Sequence, residues 1–162
     1  MQGEFRVSGD PSVVLTTLLG SCVATCMFDP VARVGGMNHF LLATAPGNGD
    51  RSERYGLHAM EMLINGLMKT GARKDRLQAK LFGGAAMEGR MAHIGRENTR
   101  FATEFLNREG IACLASSLGG CQGRRLRFAP TTGAVRQLLM DDPPPLRPID
   151  TRPAEDTTFF EE

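Results

Sequence analysis

The sequence predicts an α+β domain, a layered α/β sandwich of mixed and antiparallel sheets with two main helices. Three observations carry this expectation. Most apolar residues fall in short β-branched runs; only two segments repeat at helical spacing; and strands and helices do not alternate as a doubly wound parallel sheet requires. With 162 residues, 41% of them hydrophobic, the chain can build one real core but not two, so a single domain is expected over 1–140.

In chain order, SVVLTT, CVATCMF and RVGGMNHFLLA read as strands separated by the turn-forming groups LLGS and DPVA, together a compact β meander. From Arg54 to Lys69, Leu57, Met60, Leu63, Ile64, Leu67 and Met68 recur at helical spacing, and Thr70-Gly71 closes the helix. QAKLF (78–82) reads as a strand. The following GGAAMEGRMAHIG is too rich in glycine for regular structure throughout, and a second helix is expected from about Asn98 to Glu109, burying Phe101, Phe105 and Leu106. IACLASS, RRLRFA and AVRQLL are three further short strands. Beyond Met140 the chain carries five of its nine prolines and seven acids, so 141–162 is expected to be a disordered acidic tail.

Net charge is +1, but the tail holds seven acids and two arginines, leaving 11 acids against 17 bases, or +6, on residues 1–140. These bases are scattered and aromatics are few, so no stacking platform for nucleic acid is expected. No stretch approaches the roughly 20 apolar residues of a membrane-spanning helix, and a soluble cytoplasmic protein without membrane insertion is expected. Cys22, Cys26, Cys113 and Cys121 lack the density of a disulfide-stapled scaffold, and reduced thiols are expected.

The segment LLGSCVATC (18–26) poses the functional question, because Cys22 admits four readings. As a lipid anchor it has the small residues Gly20-Ser21 before it but lacks a basic leader and an unbroken apolar core. As a metal ligand with Cys26 and His39 it is poorly spaced: along a strand the α-carbons of Cys22 and Cys26 stand about 13 Å apart, too far for one zinc or a disulfide. As a small buried hydrophobe it would be ordinary, and Cys26, Cys113 and Cys121 are read that way.

As a nucleophile it needs a base, and a hairpin can supply one. If residues 22–28 and 33–42 pair across the four-residue loop Asp29–Ala32, Phe28 faces Arg33 and Cys22 lies directly opposite His39, their side chains on one face. The chemistry is then acyl transfer, with Gly20 allowing close approach and the amides of Ser21 and Cys22 available as oxyanion donors. Asn38, next to His39 in a strand, should point the other way. His58 and His93 are expected to be structural or solvated.

TTLLGSCVATCMFDPVARVGGMNHFLL, followed by LFGGAAM, IGRENT, LGGCQGRRLRF and TGAV, closely resembles the CheD family, the chemoreceptor glutamine deamidases of bacterial chemotaxis, over roughly residues 12–136. The resemblance implies a sandwich fold related to the deamidating domain of cytotoxic necrotising factor toxins, and hydrolysis of selected glutamine side chains on receptor cytoplasmic helices to glutamate without a cofactor. It places the catalytic cysteine at Cys22, the histidine at His39 and the threonine at Thr16, with Thr17 as an adjacent candidate. It also implies the CheC phosphatase as a partner. The segment before Pro11 is short for the family's first strand, and the tail has no counterpart in the pattern.

Overall fold

The computed structural model describes residues 4–42, 49–86, 90–141 and 150–153, with backbone alone at 49–51, 90–92 and 150–153. Nine strands and two long helices occur among them: β1 (Glu4–Ser8), β2 (Val13–Leu19), β3 (Val23–Asp29), β4 (Val34–Phe40), α1 (Gly49–Lys69), β5 (Gln78–Gly83), α2 (Arg90–Glu109), β6 (Ala112–Leu118), β7 (Gly123–Ala129), β8 (Ala134–Met140) and β9 (Asp150–Pro153). They form a five-stranded sheet, β1-β4-β3-β5-β6, and a four-stranded sheet, β8-β7-β2-β9. All pairs are antiparallel except β5 with β6, whose parallel pairing needs a crossover that α2 supplies.

The layers are helices, first sheet, second sheet, and two apolar cores separate them. Phe40, Met60, Leu63, Leu67, Leu81 and Phe105 fill the helix side of the first sheet. Leu15, Leu19, Cys26, Met37, Phe82 and Phe128 fill the space between the sheets. Strands β3 and β4 lie at the centre and are buried along their whole length, which is why their sequences read as continuous apolar runs without alternation.

The expected order of strands, helix, strand, helix, strands holds, and so does the layered α+β sandwich. The β meander does not: β2 leaves its sequence neighbours to pair with β7 and β9 in the other sheet. A first strand is present before Pro11, paired with β4 at the sheet edge. Within the segment expected as tail, Asp150–Pro153 form a strand against β2; the rest of that segment beyond Asp141 lies outside the described residues.

Helix α1 ends where expected, with Gly71 N–H donating to Met68 O and Ala72 N–H to Leu67 O. Helix α2 starts eight residues earlier than its periodicity indicated, absorbing Gly95. A β-carbon at Gly95 would lie 2.3 Å from Ala85 O, so this glycine serves close helix–loop approach, not helix interruption.

The β3–β4 hairpin differs from the expected register by one residue on each strand. Asp29 pairs with Val34, the turn is Pro30–Arg33, and His39 faces Ala24 in place of Cys22. The cause is Asp29. Its fully buried carboxylate accepts from the amides of Val31 and Ala32 at 2.9 and 3.0 Å, from Arg73 N–H at 2.9 Å and from Arg76 Nε at 2.9 Å. Burial pushes this carboxyl up, but those donors outweigh it and hold it at about 2. Asp29 thus ends the strand, and the turn begins one residue later than hydrophobicity alone suggests.

Candidate active site

Cys22 sits on the turn 20–22, where the chain crosses from β2 in one sheet to β3 in the other. Three successive carbonyls of this turn are fastened to distant parts of the chain. Gly20 O accepts from Ala85 N–H at 3.0 Å, Ser21 O from Asn98 Nδ2 at 2.7 Å and Cys22 O from Gly84 N–H at 2.8 Å. In a trans peptide the C=O and the following N–H point in opposite directions, so the amides of Ser21 and Cys22 face away from Ala85 and Asn98.

Gly83 is the surface on which this turn rests. Its φ is +113°, and a β-carbon there would lie 2.1 Å from Cys22 O. Its carbonyl accepts from Gly119 N–H at 2.9 Å and from Arg124 Nη1 at 3.2 Å, while Arg124 Nη2 donates to Gly119 O at 2.9 Å. Gly83 ends β5 and Gly84 follows it, Gly119 and Gly120 lie between β6 and β7, and these glycines brace the cysteine turn.

His39 projects from β4 into the space between the sheets, where Thr17 Oγ1 of β2 lies 3.2 Å from its Nδ1. The shift of register preserves side-chain parity, so the inter-sheet face still holds both partners: Cys22 packs there with Ala24, Cys26 and Phe82. His39 Nε2 is buried with no hydrogen-bond partner among the described residues. Asn38 points to the helix side, its Oδ1 accepting from Thr25 N–H at 3.0 Å.

The threonine beside His39 is therefore Thr17. Thr16 is half-buried on the opposite face of β2, because adjacent strand residues alternate. The resemblance placed the site's threonine six residues before the cysteine, at Thr16; the hydroxyl that meets His39 belongs to the next residue.

Cys22 is 2% exposed and His39 1% exposed, and burial dominates both titrations. It pushes the Cys22 thiol up to about 11 and holds the His39 imidazole down at about 4. The Glu4 carboxylate, on the residue paired with His39 across β1 and β4, draws the imidazole upward but less strongly. At neutral pH the pair is a thiol and a neutral imidazole, not a thiolate and an imidazolium. Nearby in α1, the Tyr55 hydroxyl is buried without a hydrogen-bond partner among the described residues; burial raises its pKa first, and a charge on Cys22 raises it further.

Tyr55, Asn98 and Arg124 were not anticipated as part of this neighbourhood. Asn98 had a sequence signal, a polar residue on the apolar face of an amphipathic helix, since Phe105 and Ala102 beside it are also buried. Cys26 is buried as expected, whereas Cys113 and Cys121 are exposed, Cys113 on the edge strand β6. His58 and His93 are exposed. Among the described residues no group of three or more His, Cys, Asp or Glu is placed to hold a metal ion.

The CheD chemotactic sensory transduction family matches residues 41–138, more than half of the chain, starting just beyond His39. A protein of Rhizobium meliloti (strain 1021) named "Probable chemoreceptor glutamine deamidase CheD" is 52% identical over 159 residues, covering 95% of this chain and 87% of its own. A protein of the same name from Rhizobium leguminosarum bv. trifolii (strain WSM2304) is 55% identical over 140 residues, covering 85% of this chain and 76% of its own. A "CheD 1" of that name from Ruegeria sp. (strain TM1040) is 51% identical over 142 residues, covering 88% and 76%. With such a family match and relatives alike across nearly the whole sequence, the chain belongs to the CheD family.

Proposed function

We propose that this protein hydrolyses the side-chain amides of selected glutamines on chemoreceptor cytoplasmic helices to glutamate, with Cys22 as nucleophile, His39 as base and then acid, and Thr17 holding the imidazole. The observation that carries the proposal is the contact of Thr17 Oγ1 with His39 Nδ1 on the face that Cys22 shares. If Nδ1–H donates to Thr17, Nε2 keeps its lone pair and is the base.

In the first half-reaction Nε2 takes the thiol proton as sulfur attacks the amide carbon, and the new oxyanion is met by the amides of Ser21 and Cys22. The C–N bond breaks, His39 protonates the departing nitrogen, and ammonia leaves a thioester. Water then loses a proton to His39 and attacks the thioester, and glutamate and thiol are released. One water enters and one ammonia leaves, so no cofactor is needed. With the thiol near 11 and the imidazole near 4, proton transfer belongs to the attack itself and not to a resting ion pair.

The receptor is a protein substrate met in the cytoplasm, and no helix among the described residues is long and apolar enough to cross a membrane. By family resemblance CheC is a further partner. The second reading is a non-catalytic adaptor that binds receptor or CheC, and the 2% exposure of Cys22 is what favours it. Peptide mass spectrometry of a receptor cytoplasmic domain incubated with wild type or Cys22→Ala separates the two. Glutamine converted to glutamate by wild type alone supports the deamidase; binding without conversion by either protein supports the adaptor.

A further inference from the structure

Asn98 is completely buried in α2, and its side-chain amide makes two hydrogen bonds of opposite sense. Oδ1 accepts from Leu42 N–H at 2.8 Å and Nδ2 donates to Ser21 O at 2.7 Å. Since Leu42 can only donate here and the carbonyl can only accept, the orientation of the amide is fixed.

The two groups it joins belong to the two halves of the site. Ser21 C=O shares a peptide unit with Cys22 N–H, so whatever holds the carbonyl sets the direction of that amide. Leu42 lies just past the end of the strand that carries His39. The seat for this bridge is built into α2. Gly95, one turn earlier, lets the helix approach Ala85, whose own amide holds Gly20 O. Thr99 packs against Gly84, whose amide holds Cys22 O.

From this arrangement we infer that Asn98 is a positioning residue for the deamidation proposed above: through Ser21 it aims the Cys22 amide at the substrate oxygen that becomes negative, and through Leu42 it fixes the His39 strand relative to that amide. Asn98 touches neither substrate nor the reacting atoms. The inference rests on the deamidase reading.

Two rates distinguish aim from mere packing. Deamidation passes through an oxyanion, whereas alkylation of Cys22 by iodoacetamide is a direct displacement that develops none. Asn98→Asp keeps the shape and the acceptor for Leu42 but places a carboxylate oxygen where Nδ2 donates; Asn98→Ala removes both bonds. In each, kcat for glutamine conversion on a receptor cytoplasmic domain is expected to fall about 10- to 1000-fold, as when an oxyanion donor is lost. KM and the alkylation rate of Cys22 stay within about threefold of wild type, as expected when only a transition-state interaction is removed.

A kcat for Asn98→Ala within threefold of wild type overturns the inference, and so does a parallel fall of kcat and of the Cys22 alkylation rate in variants that keep the folding transition. If Asn98→Ala does not fold, Asn98→Asp decides alone. Wild type that converts no glutamine while binding the receptor overturns the deamidase reading itself, a result distinct from conversion by wild type and variants alike.

Discussion

Replacing Thr17 by valine removes one hydroxyl and little volume, and its cost follows from where that hydroxyl lies. Thr17 is 4% exposed and its oxygen is 3.2 Å from His39 Nδ1, so no water readily replaces it. An unsatisfied buried donor costs about 1–3 kcal/mol, and each 1.36 kcal/mol is a factor of ten in rate. The imidazole escapes that cost by turning or by moving its proton to Nε2, and either change removes the Nε2 lone pair that the proposed mechanism uses as base. Thr17→Val should therefore lower kcat about 10- to 100-fold with a small effect on KM. Thr17→Ser, which keeps an oxygen, should stay within about fivefold, by the same reasoning. Thr16→Val, on the other face of β2, should leave kcat within about threefold, as expected for a site away from the reacting groups. The assay is the rate of glutamate appearance in receptor peptides by mass spectrometry, with melting curves to confirm folding. A Thr16→Val enzyme that is crippled beside a Thr17→Val enzyme of normal rate would refute the assignment.

Three further outcomes are expected. With the Cys22 thiol at about 11, its alkylation by iodoacetamide should rise about tenfold per pH unit from pH 7 to pH 10, and a plateau with an apparent pKa below 7 would show a resting ion pair instead. Burial of His39 with a pKa of about 4 against 6.5 unfolded stabilises the fold fully above pH 6.5, and that stability is lost as pH falls through 4. The loss amounts to about 3 kcal/mol in denaturant titrations; a His39→Gln variant should lack this dependence, and equal slopes in the two proteins would contradict it. Gly83→Ala places a β-carbon 2.1 Å from Cys22 O at a φ of +113°, so it should lower the unfolding free energy by at least about 1–3 kcal/mol, and an unchanged midpoint would count against the brace.

The helices and the presence of most strands were legible in the sequence because each depends on periodicity within ten or twenty residues. What was hidden depends on partners far away. Nothing local to SVVLTT says that it pairs with residues 124–128 and not with its own neighbours. The hairpin register was misplaced by one residue per strand because Asp29 was read as turn, and only the approach of Arg73 and Arg76 explains its burial. Cys22 and His39 were still placed on a common face, since that slip keeps parity. Thr16 and Thr17 are distinguished only by the phase of β2 between two layers. The role of Asn98 was hidden for the same reason: its two partners lie 56 and 77 residues away.

The three fastened carbonyls of the cysteine turn bear on when the thiol becomes an enzyme's thiol. Cys22 and His39 leave the ribosome early, yet the amides of Gly84 and Ala85 and the side chain of Asn98 come from the middle of the chain. Contacts of such long sequence separation form late, after loops of more than sixty residues have closed. A nascent chain ending before Asn98 would carry Cys22 and His39 but not the frame that fastens the cysteine turn. On the proposed mechanism, deamidation is thereby coupled to completion of the fold.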